Sequence, residues 1–77
     1  LSTSQLQRDF RKLFRMSPGE YVMRLRLQVA RRQLIESNEP VNLIASRCGF
    51  FDQSHFTRLF RKHTGLTPSH YRRKAWN

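Results

Sequence analysis

Apolar positions recur along this chain at intervals of three and four, and no stretch alternates apolar with polar. That is the period of helices with one face turned inward, so the predicted class is all-α. Leu6, Phe10, Leu13 and Phe14 form a first apolar stripe, on a helix expected to start at Ser2 as N-cap and to run to Phe14. Ser17-Pro18 marks a second start, a capping hydroxyl followed by proline at the first helical position, with Glu20 in the positive first turn. This helix should extend to Glu36 or Ser37, where Ser-Asn-Glu-Pro closes it. At about 100° per residue its apolar residues fall on two stripes. Tyr21, Val22, Leu25 and Val29 make one; Met23, Leu27, Ala30 and Leu34 make the other, roughly opposite. A helix apolar on two sides is expected to be sandwiched between two packed bodies.

After Pro40 a short helix is predicted from Val41 to Cys48, with Val41, Leu43 or Ile44, Ala45 and Cys48 as inward candidates. Gly49 breaks it, and Phe50 and Phe51 follow. Asp52 then caps a helix with Phe56, Leu59 and Phe60 on its apolar face, which stops at Gly65. Thr67-Pro68 opens a last short helix carrying Tyr71 and Trp76.

Two parts of this pattern are the same part written twice. Adding fifty to the residue number takes Ser4 to Ser54, Arg8 to Arg58, Phe10-Arg11-Lys12 to Phe60-Arg61-Lys62, Pro18 to Pro68 and Tyr21 to Tyr71. Leu6 meets Phe56 and Met16 meets Leu66. The long helix then reads as a connector between two copies. One substitution breaks the echo: Arg15 stands where the second copy has Gly65, and arginine should adopt a left-handed helix stop at some cost.

Charge narrows what the copies could do. With 15 Lys+Arg against 5 Asp+Glu, the formal charge is +10 over 77 residues. A surplus of this kind is expected to meet a polyanion, either nucleic acid or an anionic membrane surface. The length allows one small domain, and no Gly/Pro-rich stretch divides it. The longest apolar runs are a few residues, too short to span a bilayer, and no signal-peptide pattern is present. The expected location is the cytoplasm, at the nucleoid, and the abrupt start suggests part of a longer protein. Cys48, the single cysteine, reads as a buried core thiol.

The stretch Ile44-Ala45-x-x-Cys48-Gly49-Phe50, followed by Asp52 to Lys62, reads as a helix-turn-helix. Ala45 is small because the second helix crosses close to it, Gly49 permits the turn, and Phe50 plugs the angle between the helices. The outer face of the second helix offers Gln53, Ser54, Thr57, Arg58 and Arg61, with no acid from Gln53 to His63. Amides and guanidiniums can read base edges bidentately, while hydroxyls and lysines suit phosphates.

The run Ala45-x-x-x-Gly49-Phe50-x-Asp52-x-Ser54-x-Phe56-x-Arg58-x-Phe60-Arg61-Lys62-x-x-Gly65-x-Thr67-Pro68-x-x-Tyr71-Arg72 resembles the signature of the AraC/XylS family of bacterial transcription regulators. Tyr21, Arg26-Leu27, Ala30 and Leu34 match in the connector, so the resemblance covers essentially the whole chain. It implies a double-stranded-DNA-binding domain of two helix-turn-helix subdomains: residues 1–16 as the first recognition helix, 17–38 as linker helix and 39–77 as the second subdomain. Base contacts are implied for Ser4, Gln7 and Arg8, and for Gln53, Ser54, Thr57 and Arg58. Thr3, Arg11, Lys12, Arg61 and Lys62 are assigned to phosphates on charge and position. Phe10, Phe56, Phe60, Pro68 and Tyr71 are core or helix-start residues in the same scheme. Two more helices would precede Leu1 in a complete domain, so the first subdomain is expected to be incomplete, its apolar face without the usual cover. The resemblance further implies a companion effector-binding domain and an encounter with RNA polymerase.

Geometry supports two readers independently. A helical connector of about 20 residues spans roughly 30 Å, close to the ~34 Å of one DNA turn. The rival partner, an anionic membrane surface, gives no reason for Gly49, Asp52 or a fixed repeat. Single-stranded RNA would call for exposed aromatics, whereas these fall on inward stripes. Catalysis has no candidate: His55, His63 and His70 lack metal-ligand spacing, His55 and His70 lie on exposed or capping stretches, no acidic cluster could hold a cation, and no cofactor is expected.

Overall fold

Where the sequence places a capping hydroxyl or carboxylate, the chain turns into helix. The computed structural model describes residues 3–77, so the expected cap Ser2 lies outside the described residues. Among them are five helices and no strand: α1 (Thr3–Phe14), α2 (Pro18–Glu36), α3 (Val41–Arg47), α4 (Gln53–Thr64) and α5 (Pro68–Trp76). The Glu20 amide donates to Ser17 Oγ at 3.2 Å, the His55 amide to Asp52 Oδ1 at 2.7 Å, and the His70 amide to Thr67 Oγ1 at 3.2 Å. Each bond satisfies one of the amide donors left open at a helix start. Pro40 precedes α3 without a side-chain cap.

The core gathers in the second half of the molecule. Leu27, Ala30 and Leu34 of α2, Ile44 and Ala45 of α3, Cys48 and Phe50 of the turn, and Phe56 and Phe60 of α4 are buried together. Met23, Val41, Leu59 and Tyr71 pack against them. Ile44, not Leu43, is the inward residue of its pair. Burial pushes the Cys48 thiol pKa up, in keeping with a core residue.

The sandwiched connector needs correction. Its Leu27–Ala30–Leu34 stripe is buried as expected, but Val22, Leu25 and Val29 on the opposite stripe are exposed. Of that stripe, Tyr21 alone makes ring contacts, with Phe10 at 5.4 Å and Phe14 at 5.3 Å. These join α1 to the first turns of α2 and leave the rest of the stripe uncovered. The apolar stripe of α1 is without a cover, as expected: none of its residues is buried, and Leu6 is 54% exposed.

The far end of α2 is closed by side chains from α5. Arg72 donates from Nε to the Leu34 carbonyl at 2.9 Å and from Nη2 to the Glu39 carbonyl at 2.6 Å. Trp76 Nε1 donates to the Ile35 carbonyl at 2.9 Å, and the Arg72 guanidinium lies 5.4 Å from the Trp76 ring centroid. The Leu34 and Ile35 carbonyls, which the helix terminus leaves without intrahelical partners, are thus satisfied from a distant helix.

Candidate nucleic-acid interface

On α4 the division between core and solvent follows from helical spacing. Phe56 and Phe60, four residues apart, are both 0% exposed, and their rings meet at 5.5 Å. Gln53, Ser54, Arg58, Arg61 and Lys62 are exposed and Thr57 is half-buried beside the core. At about 100° per residue, Ser54, Arg58 and Arg61 face away from the phenylalanines, while Gln53 and Thr57 lie along the edge between that face and the core. Lys62 borders that face.

The helix is held at both ends. At its start Gly49 has φ +89, and its missing side chain leaves room for the Arg26 guanidinium; a Cβ there would lie 3.1 Å from Arg26 Nε. Arg26 Nη1 donates to the Gly49 carbonyl at 3.4 Å, tying the connector to the turn. The Phe50 amide donates to the Ala45 carbonyl at 3.0 Å, and the Phe50 ring sits 4.9 Å from Phe56. Phe50 therefore fills the angle as expected. At the other end Gly65 takes the left-handed conformation, φ +82, and its amide donates to the Arg61 carbonyl.

α1 repeats much of this local geometry. Thr3, Ser4, Gln7, Arg8, Arg11 and Lys12 are all exposed. Phe10 meets Tyr21 edge to face at 5.4 Å and 76°, and Phe60 meets Tyr71 at 5.2 Å and 80°. Arg15 adopts the left-handed stop, φ +59, with its amide 2.7 Å from the Arg11 carbonyl. One difference on the helix body is Asp9, where the second copy has Leu59. Its carboxylate accepts from Gln5 Nε2 at 3.1 Å.

Electrostatically both faces are open. The ion pairs among the described residues are Arg24 with Glu20 at 3.2 Å and Arg47 with Glu39 at 3.6 Å. Neither uses a cation of α1 or α4. Among the described residues no cluster of His, Cys, Asp and Glu could hold a metal ion, and no helix is long and apolar enough to cross a membrane. His70 is exposed as expected, whereas His55 is half-buried, its Nδ1 enclosed without a hydrogen-bond partner.

Periodicity did not single out Arg26, Arg31 or Arg72. Arg31 Nε donates to Tyr71 Oη at 3.1 Å, holding α5 against α2. These arginines join α2 to a turn or a helix distant in sequence, and residue spacing carries no signal for such bonds.

Residues 1–74 match the family model described as a helix-turn-helix domain. Over 72 residues, 94% of the chain, the sequence is 39% identical to the HTH-type transcriptional activator RhaS of Pectobacterium carotovorum, covering 26% of that protein. It is 35% identical over 71 residues to the probable transcriptional regulator LumQ of Photobacterium leiognathi, covering 92% of this chain and 29% of that one. The chain therefore spans less than a third of the length of these relatives. In structure it is similar to a transcriptional regulator with an AraC-type DNA-binding domain from Chromobacterium violaceum. The TM-score is 0.91 at 32% identity, over 97% of this chain and 67% of that chain.

Proposed function

The chain belongs to the AraC/XylS family of helix-turn-helix transcription regulators, and from that premise we propose how it holds double-stranded DNA. α4 enters a major groove, with Gln53, Ser54, Thr57 and Arg58 toward base edges and Arg61 and Lys62 toward phosphates. α1 enters the neighbouring major groove, with Ser4, Gln7 and Arg8 toward bases and Thr3, Arg11 and Lys12 toward phosphates. The observation that carries this reading is the two-sided character of α4. One face is wholly buried around Phe56 and Phe60, and the other is polar, cationic and free of acids.

The long axis of the molecule, 47 Å, accommodates two readers about 34 Å apart, one turn of DNA. α2, a 19-residue helix, sets their separation as a strut instead of as a flexible tether. At a bacterial promoter, in the cytoplasm and at the nucleoid, such a clamp would act with RNA polymerase. The greater length of the relatives supports a companion effector-binding domain. The membrane-surface alternative gains nothing from the geometry, because the turn at Gly49 and the cap at Asp52 both serve to present α4.

Gel-shift titration of the full chain on a site selected from random duplex DNA tests the residue roles. Arg58→Ala should cost about 1–3 kcal/mol and relax preference at one base pair. Lys62→Ala should weaken selected and random duplexes alike and lower the salt dependence. Equal losses on selected and random DNA for Arg58→Ala would remove it from the base-reading set. Preferential capture by anionic liposomes over duplex at matched salt would replace the reading altogether.

A further inference from the structure

One residue on the presenting turn has no structural task. Phe51 is 90% exposed, whereas its neighbour Phe50 is buried at 7%. Among the described residues Phe51 makes none of the ring–ring or cation–ring contacts that occupy Phe10, Phe14, Phe50, Phe56 and Phe60. Yet the backbone that carries it is firmly placed. On one side the Gly49 amide donates to the Ser46 carbonyl and the Phe50 amide to the Ala45 carbonyl. On the other, Asp52 caps α4 through the His55 amide. An apolar ring is therefore held in solvent directly before Gln53 and Ser54, at the end of the recognition helix that leads into a groove.

We infer that Phe51 is a specificity-determining residue that packs on the C5-methyl group of a thymine at the edge of the site read by α4. The inference rests on the DNA-binding reading above. A phenyl ring offers no hydrogen-bond donor or acceptor, so it cannot read the polar pattern of base edges. The one apolar feature a base pair presents in the major groove is the thymine methyl. Base faces are closed to the ring because they are stacked within the duplex. Gln53, Ser54 and Arg58 read through polar groups, and Thr57, whose methyl could make a similar contact, is half-buried beside the core, so Phe51 adds an exposed apolar surface to the set.

Deoxyuridine differs from thymidine by that methyl alone, which makes the test direct. In the half-site bound by α4, each thymine of a selected duplex is replaced singly by deoxyuridine, and affinities of the full chain and of Phe51→Ala are measured. One replacement should weaken the unaltered protein roughly fourfold, the worth of one buried methyl group. Phe51→Ala should bind the thymine duplex more weakly and be indifferent to that replacement, with helical content unchanged by circular dichroism. If no replacement weakens the unaltered protein, or if Phe51→Ala keeps the full sensitivity, the assignment is wrong. A ring resting on sugar or phosphate would give the latter result. A protein that selects no duplex at all fails earlier, and the DNA-binding reading fails with it.

Discussion

The two copies share local instructions and differ in what surrounds them. Both place a hydroxyl cap before proline, both end the preceding helix in a left-handed residue, and both join phenylalanine to tyrosine edge to face. Burial divides them. Phe56 is 0% exposed whereas its counterpart Leu6 is 54% exposed. In the second copy α3 and α5 close over α4, and α2 supplies Leu27, Ala30 and Leu34 beneath it. In the first, α1 rests on the start of α2 through Phe10, Phe14 and Tyr21. Local codes can thus specify a helix, its cap and its stop without specifying a core. Enclosing Phe56 and Phe60 takes residues outside the repeat: Leu27, Ala30 and Leu34 of α2, and Ile44 and Ala45 of α3, which has no counterpart among the described residues.

That contrast predicts its own largest effect. Phe60→Ala empties a fully enclosed site and should destabilise the chain by about 3–5 kcal/mol in urea unfolding. Phe10→Ala removes a half-buried ring whose neighbours are already open to water, and should cost under about 2 kcal/mol. Comparable losses at both positions would show that the first copy has a cover as complete as the second, and the asymmetry would collapse.

Much of this architecture was legible from residue spacing, and the failures share one cause. Caps and stops are local chemistry, so Ser17, Asp52, Gly65 and Thr67 could be placed from their neighbours alone. The inward face of α4 followed from a four-residue interval. Spacing also identified the stripe of Val22, Leu25 and Val29, but it could not say whether anything covers it. It marks a face able to be buried; burial requires a partner, and that is a tertiary fact. His55 shows the converse: a polar residue read as exposed or capping is half-buried, with one ring nitrogen enclosed without a hydrogen-bond partner. On the candidate interface, the cationic positions were legible because they lie opposite the apolar stripe. Phe51 was not, since an aromatic residue beside Phe50 reads as more core.

Arg72 is the clearest contact that spacing could not anticipate, and it sharpens the comparison at intermediate size. Its counterpart fifty residues earlier is Val22, an exposed residue with no such bonds. Arg72→Ala removes two hydrogen bonds to carbonyls and a contact with Trp76, from a part-buried position. A loss of about 1.5–3 kcal/mol is expected, with α5 exchanging amide hydrogens faster than α4. Val22→Ala should change stability by under about 1 kcal/mol. A small effect at Arg72 would mean that the second copy is held by its apolar core alone.

The smallest test has opposite signs in the two copies. Gly65 and Arg15 occupy the same left-handed stop, at φ +82 and +59, and both donate to the carbonyl four residues back. A Cβ at Gly65 meets nothing within 4 Å, so Gly65→Ala should cost only the backbone strain, about 1–2 kcal/mol. Arg15→Gly relieves strain of that kind but adds roughly 0.4–1 kcal/mol of freedom to the unfolded chain. The net gain should therefore stay below about 1 kcal/mol, read as slower amide exchange near the end of α1. If Arg15→Gly instead destabilises α1, the arginine side chain must be contributing contacts that outweigh its backbone cost. The first copy would then have evolved its own way of ending a helix, and the echo between the stops would be one of shape without a shared energetic basis.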